Sequence, residues 1–166
     1  MSSTFEIAAT ENHARAIVAL HDAVALDHRR ERAGARPWKT PSVERVVGWL
    51  ARSLTVVARE HVGSELLVAA FRLDAGKGFC GVARFTEVAR FVYLEEMVVH
   101  PSQQRRGLGR RCLEEAERRA RELGATAVRL DTNDDAVGAA SFYEACGYRV
   151  VLRHAQTIYL ERLLEV

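Results

Sequence analysis

Gln104-Arg105-Arg106-Gly107-Leu108-Gly109-Arg110-Arg111 stands between an apolar strand pattern and an amphipathic helix pattern. Its glycines permit a tight turn and a close backbone approach to a ligand. The helix that follows adds a partial positive charge and N–H donors with no partner inside the helix, a combination that suits an anionic phosphate. Arginines flank the glycines, and a guanidinium matches phosphate oxygens with a rigid fork of donors. The expected chemistry is a pyrophosphate cradle. A nucleoside triphosphate loop requires Gly-Lys-Ser/Thr, but Gly109 is followed by Arg110-Arg111-Cys112. A dinucleotide fingerprint requires a third glycine where Cys112 stands. The plain alternative is a helix start with a solvated basic face.

Outward from this stretch the chain alternates strands and helices. Upstream, Phe91 to Val99 reads as a strand ended by His100-Pro101. Phe79 to Val88 and Leu66 to Leu73 read as the two strands before it, with a turn at Asp74 to Gly78. Residues 54–60 fit either a strand or an extension of the helix opened by Pro41-Ser42, whose stripe is Val43, Val46, Val47 and Leu50. Phe5 to Ala9 reads as a first strand. Thr10 caps a helix running to about Leu26, and residues 27–40 read as a loop.

Downstream, a helix from about Gly107 to Leu123 places Leu108, Cys112, Ala116, Ala120 and Leu123 on one face. Glu114–Arg118, Glu115–Arg119 and Glu117–Arg121 are spaced as i,i+4 pairs on the other. Ala127 to Leu130 is a short strand, Ala136 to Cys146 a last helix stopped by Gly147, and Tyr148 to Leu152 and Thr157 to Leu163 a closing pair of strands. The order implies a single α/β (α+β) domain over 1–166, a mixed sheet with about four helices on its faces.

Composition narrows the function. The 166 residues are 48% hydrophobic and 28% charged, as in ordinary globular proteins. A net charge of +2 is too small to mark nucleic acid as the main partner. No apolar run approaches the ~18 residues of a membrane span, and the N-terminus does not read as a signal peptide. Cys80, Cys112 and Cys146 form neither a disulfide framework nor a zinc spacing. The histidines also lack a metal spacing, so no metal is expected and a reducing cytoplasm is the simplest location.

Two stretches then resemble one family. Gln104-x-x-Gly107-x-Gly109, after Glu95-Glu96-Met97-Val98-Val99-His100-Pro101, resembles the coenzyme A motif of the GNAT superfamily of N-acetyltransferases. Leu130-Asp131-Thr132-Asn133 and Ala140-Ser141-Phe142-Tyr143-Glu144-Ala145-Cys146-Gly147-Tyr148 resemble its second signature. Together they cover roughly residues 91–150. The resemblance implies a central, mostly antiparallel twisted sheet. It implies that the backbone of Met97, Val98 and Val99 pairs with the pantetheine arm of acetyl-CoA. The amides of Arg105, Arg106, Gly107, Leu108, Gly109 and Arg110, after Gln104, would hold the pyrophosphate. Asn133 and Tyr143 would line the opposite wall, the spacing between them being longer than in many relatives. A homodimer is common in the superfamily.

The reacting end lies back along the strand. Glu95 stands four residues before Val99, about 13 Å at ~3.3 Å per residue. A primary amine near pKa ~10.4 is protonated at neutral pH and must lose that proton before it attacks. Tyr93-Leu94-Glu95-Glu96 resembles the Leu-Glu-Asp segment of spermidine/spermine N-acetyltransferases. That resemblance makes Glu95 the base and Glu96 the group that attracts a cationic small-molecule acceptor, while Tyr143 serves the departing thiolate. Either acid could instead be solvated or paired with an arginine. The acceptor could instead be a protein amine, and a non-catalytic acyl-CoA sensor would keep the loop without needing Glu95 or Tyr143.

Overall fold

The computed structural model describes residues 3–31, 39–75, 85–133 and 138–165. Among the described residues, seven strands and four α-helices follow in the order β1 Thr4–Ile7, α1 Glu11–Glu31, α2 Val43–Leu50, β2 Leu54–Arg59, β3 Leu67–Ala75, β4 Val92–Val99, α3 Leu108–Glu122, β5 Ala127–Asn133, α4 Ala139–Ala145, β6 Arg149–His154 and β7 Thr157–Leu163. The hydrogen-bonded strand order is β1-β2-β3-β4-β5-β7-β6. β1–β2, β5–β7 and β6–β7 run antiparallel, and β4–β5 runs parallel. The mixed, mostly antiparallel sheet expected from the sequence is therefore present. The chain divides into two compact units, residues 1–72 with 96–112 and residues 73–95 with 113–166, so that the boundary passes between Glu95 and Glu96.

The first unit is built around α1. Its buried residues Ala14, Ile17, Leu20, His21, Val24 and Ala25 recur at helical spacing, and the apolar ones pack with Val46, Trp49, Val57, Leu67 and Val98. Thr10 caps the helix as expected: its Oγ1 accepts from the His13 N–H at 3.3 Å. His13 returns the contact, its Nδ1 accepting from the Thr10 N–H at 3.2 Å. This is a capping box with histidine in the usual glutamate position. Contrary to the loop expected from residue 27, α1 continues to Glu31. The turn Asp27-His28-Arg29-Arg30-Glu31 has no apolar residue to show the helical period. In α2 the buried pair is Val46 and Trp49, while Val47, expected on the stripe, is 42% exposed. Residues 54–59 resolve as a strand, with Thr55 to Ala58 all buried. A fully buried strand lacks the alternation that separates it from a helix.

In the second unit, β7 lies between β5 and β6, with Leu130 opposite Leu160 and Leu160 opposite Val150. α4 stops at Gly147 because that residue takes φ +88°, and a Cβ there would stand 3.3 Å from the Arg162 guanidinium. The expected strand Phe79 to Val88 lies mostly outside the described residues, and 85–88 are not strand. Ala136 and Val137, expected to begin the last helix, also lie outside them. On α3 the Arg119–Glu115 pair forms at 2.9 Å, but Arg118 turns to Glu115 and Glu122. Glu117 is no surface residue: it is buried, 3.1 Å from Arg162. Burial pushes its carboxyl up, with Arg162 opposing. Leu123, expected on the apolar face, is 43% exposed.

Candidate active site

In the first unit, the end of β4 leads into the arginine–glycine turn. His100 closes the strand, its Nδ1 accepting from the Ser102 N–H at 3.2 Å and starting the 3-10 turn Pro101–Gln103. Gln104 then folds back, and its amide donates to the Val99 carbonyl at 3.2 Å. This bond ties the turn to the strand that feeds it. Arg105 and Gly107 both take positive φ, +57° and +81°. The Gly107 carbonyl accepts the first helical bond from the Arg111 N–H at 3.2 Å. The 15-residue α3 therefore starts at Leu108 with its first N–H groups outside the helical bonding pattern. A Cβ built on Gly107 would meet no atom within 4 Å. The surface over the turn is open rather than filled by the protein's own side chains, and the site fits a diphosphate. Its positive φ makes glycine the residue suited to that position. Gln104 to Gly107 are exposed, Leu108 is buried as the first residue of the apolar face, and Arg110 is exposed.

Met97 and Val99 are half-buried and Val98 is buried in the apolar core. The parallel ladder of β4 with β5 holds three pairs, Val92↔Val128, Tyr93↔Arg129 and Leu94↔Leu130, and ends there.

Glu96 faces a recess that also belongs to the first unit. Its Oε1 lies 3.6 Å from Nε2 of His21, which is 1% exposed. Trp49 closes the recess, 6.3 Å from the His21 ring, with the Arg72 guanidinium 4.7 Å from the indole. Burial pushes the His21 imidazole down to about 4, and nearby Asp22 only partly opposes it. At neutral pH His21 is uncharged, so its contact with Glu96 is not an ion pair. Because the folded value lies below the ordinary 6.5, His21 adds no penalty above that pH. As the pH falls from 6.5 to 4, the unfolded chain takes a proton that the fold refuses, and about 3 kcal/mol of stability is lost. We expect denaturant melts at pH 4.5 and 7 to show this loss, and His21→Gln to reduce it by more than half. An equal acid loss in the variant would contradict the assignment. The sequence motifs do not single out His21. The available signal was its place on the α1 stripe, four residues after Ile17.

In the second unit, Glu95 is half-buried on β4. Tyr93, two residues earlier on the same strand face, donates from its hydroxyl to Asp131 at 2.5 Å. Burial pushes the Tyr93 hydroxyl far up, and the negative charges of Asp131 and Glu95 push it further. Two carboxylates thus surround one buried phenol, a field that favours a cation. The sequence reading named Glu95 but not Tyr93 or Asp131, whose partnership depends on the β4–β5 register. Asn133 ends β5, opposite Thr157 and exposed. Tyr143 lies on α4, its ring edge-on to Phe142 at 5.3 Å and to Tyr148 at 5.8 Å. The ring is clamped between aromatics while staying half-exposed.

Residues 17–148 match the family model of the Acetyltransferase (GNAT) family. The chain belongs to this family. The GNAT chain is 33% identical, over 86 residues, to glucosamine 6-phosphate N-acetyltransferase of Schizosaccharomyces pombe. That match covers 52% of the chain and 65% of the relative, a little under two thirds of its length. Two solved structures share the fold. The ribosomal-protein-S18-alanine N-acetyltransferase of Escherichia coli superposes with a TM-score of 0.70 at 19% identity, over 99% of this chain and 96% of that one. The PaiA N-acetyltransferase of Thermoplasma acidophilum, solved in complex with coenzyme A, gives 0.71 at 15% identity, over 96% and 99%. Among the described residues no group of three or more His, Cys, Asp or Glu could hold a metal ion, and no helix is long and apolar enough to cross a membrane. Cys112 and Cys146 are buried, packed as small apolar groups, while Cys80 lies outside the described residues.

Proposed function

We propose that this GNAT chain, acting as one domain in the cytoplasm, moves an acetyl group from acetyl-CoA directly to the primary amine of a small molecule. The observation that carries the reading is the turn after β4, with Gln104 tied back to Val99, Gly107 at φ +81° and open space above it at the start of α3. The amides of Arg105 to Arg110 hold the pyrophosphate, and the backbone of Met97, Val98 and Val99 orients the pantetheine arm. Acetyl-CoA supplies the acetyl group as a thioester. Glu95 removes the ammonium proton, directly or through one water. Tyr143 presents its hydroxyl proton to the departing sulfur, Asn133 lines the wall opposite the pantetheine strand, and Glu96 holds the cationic acceptor.

The Schizosaccharomyces pombe relative, named for an amino sugar phosphate, supports a small acceptor. The test is thiol release from acetyl-CoA with glucosamine 6-phosphate, spermidine, free lysine and a panel of peptides. We expect turnover on at least one small amine to exceed that on every peptide. Activity confined to peptides would overturn the acceptor class. A single elution position at monomer mass on sizing with light scattering would exclude a homodimer.

A further inference from the structure

The recess beside Glu96 gathers polar side chains from α1, β2, β3 and β4. Its cavity volume is only about 10 Å³, and it is lined by His21 from α1, Trp49 from α2, Thr55 from β2, Arg72 from β3 and Glu96 from β4. Thr55 is 3% exposed, and its Oγ1 has no hydrogen-bond partner among the described residues. A buried hydroxyl without a partner is costly unless something bonds to it. The charged and titratable groups of the recess are His21, Arg72 and Glu96, with Asp22 next along α1. His21 directs Nε2 toward the carboxylate, and a proton on that nitrogen makes it a donor to Glu96. The 3.6 Å separation is just longer than a hydrogen bond. Such contacts are often long without substrate and tighten in the complex.

We infer that His21 is a positioning residue, whose buried Nε2–H holds the Glu96 carboxylate in the orientation that receives the acceptor's ammonium group. The inference rests on the reading of Glu96 as the acceptor-holding acid. Burial keeps the imidazole neutral, so it orients Glu96 without cancelling the negative charge that attracts the amine.

The test uses the full chain and the amine of highest turnover in the panel above. His21→Phe keeps the ring volume and removes the donor. We expect the amine KM to rise about tenfold, as for loss of one hydrogen bond to a charged group, with kcat and the KM for acetyl-CoA within about twofold. His21→Gln restores a donor at the Nε2 position, and we expect its amine KM to return to within about threefold of wild type. If His21→Phe does not fold, His21→Asn, whose amide falls short of that position, takes its place with the same expected rise. In the Glu96→Gln background the His21 substitution should add nothing further, since the two act through one contact. Independently of turnover, ring nitrogen-15 spectra at pH 7 should show neutral His21 protonated at Nε2, with a shift in Glu96→Gln. An unchanged amine KM in folded His21→Phe, or a proton found on Nδ1, overturns the positioning role while leaving Glu96 in place. Equal defects in His21→Phe and His21→Gln show mere packing and overturn it too. An unchanged amine KM in Glu96→Gln overturns the reading of Glu96 and this inference with it.

Discussion

Glu95→Gln is expected to lower kcat by about 10²- to 10⁴-fold, the range of a lost general base, while acetyl-CoA binds as tightly as in wild type. At neutral pH only about one primary amine in a thousand is unprotonated, so the rate depends on a group that takes the proton. Glu95 is half-buried, and its charge acts on the buried Tyr93 hydroxyl, which donates to Asp131. Glutamine keeps the shape and removes the basic oxygen. Tyr143→Phe should lower kcat less, because the phenol assists departure of a thiolate that already leaves well. Initial rates with thiol detection, alongside calorimetric binding of acetyl-CoA, separate these effects. A Glu95→Gln rate within threefold of wild type, with Glu96→Gln inactive, would transfer the base role to Glu96. Unchanged rates in Glu95→Gln and Tyr143→Phe would remove both catalytic assignments and leave acetyl-CoA as the cosubstrate.

Glu161→Ala is expected to cost about 3–5 kcal/mol of stability, the range for removing one member of a buried ion pair. The Glu161 side chain is fully buried. It accepts from the Thr86 N–H at 3.0 Å and hydroxyl at 2.6 Å, from Arg149 at 2.6 Å and from Arg129 at 3.3 Å. Arg129 is itself buried, its guanidinium lying 4.0 Å from the Phe91 ring and 4.7 Å from Phe85. Alanine at 161 leaves that cation enclosed without its counter-charge. Burial alone would raise the Glu161 carboxyl, but the bonds from Thr86 and Arg149 outweigh it and hold it below the usual range. Its stabilisation is therefore complete above the ordinary carboxylate pKa and is lost as the pH falls through the lower folded value. Thermal melts should show a fall on the order of 10 °C. Arg149→Ala, which removes a side chain 58% exposed, should cost less than about 1 kcal/mol. A Glu161→Ala melt within 2 °C of wild type would contradict the network.

The sequence shows the parts of this protein that depend on neighbours along the chain. The Gln104 to Arg111 turn, the Thr10 cap and the Gly147 stop are local, and each is written in consecutive residues. The contacts that join distant residues are not. Glu117 has the spacing of a surface pair with Arg121, and only the fold brings Arg162 to it. Tyr93 and Asp131 stand 38 residues apart and meet through the register of β4 and β5. Asp27 to Glu31 include no apolar residue, so the pattern that reveals the rest of α1 is missing from its end.

The open turn at Gly107 is the feature on which the account stands, and isothermal titration with acetyl-CoA tests it most directly. We predict saturable one-to-one binding at roughly micromolar Kd, about −8 kcal/mol, displaced by free coenzyme A. No heat and no displacement at millimolar ligand would contradict it.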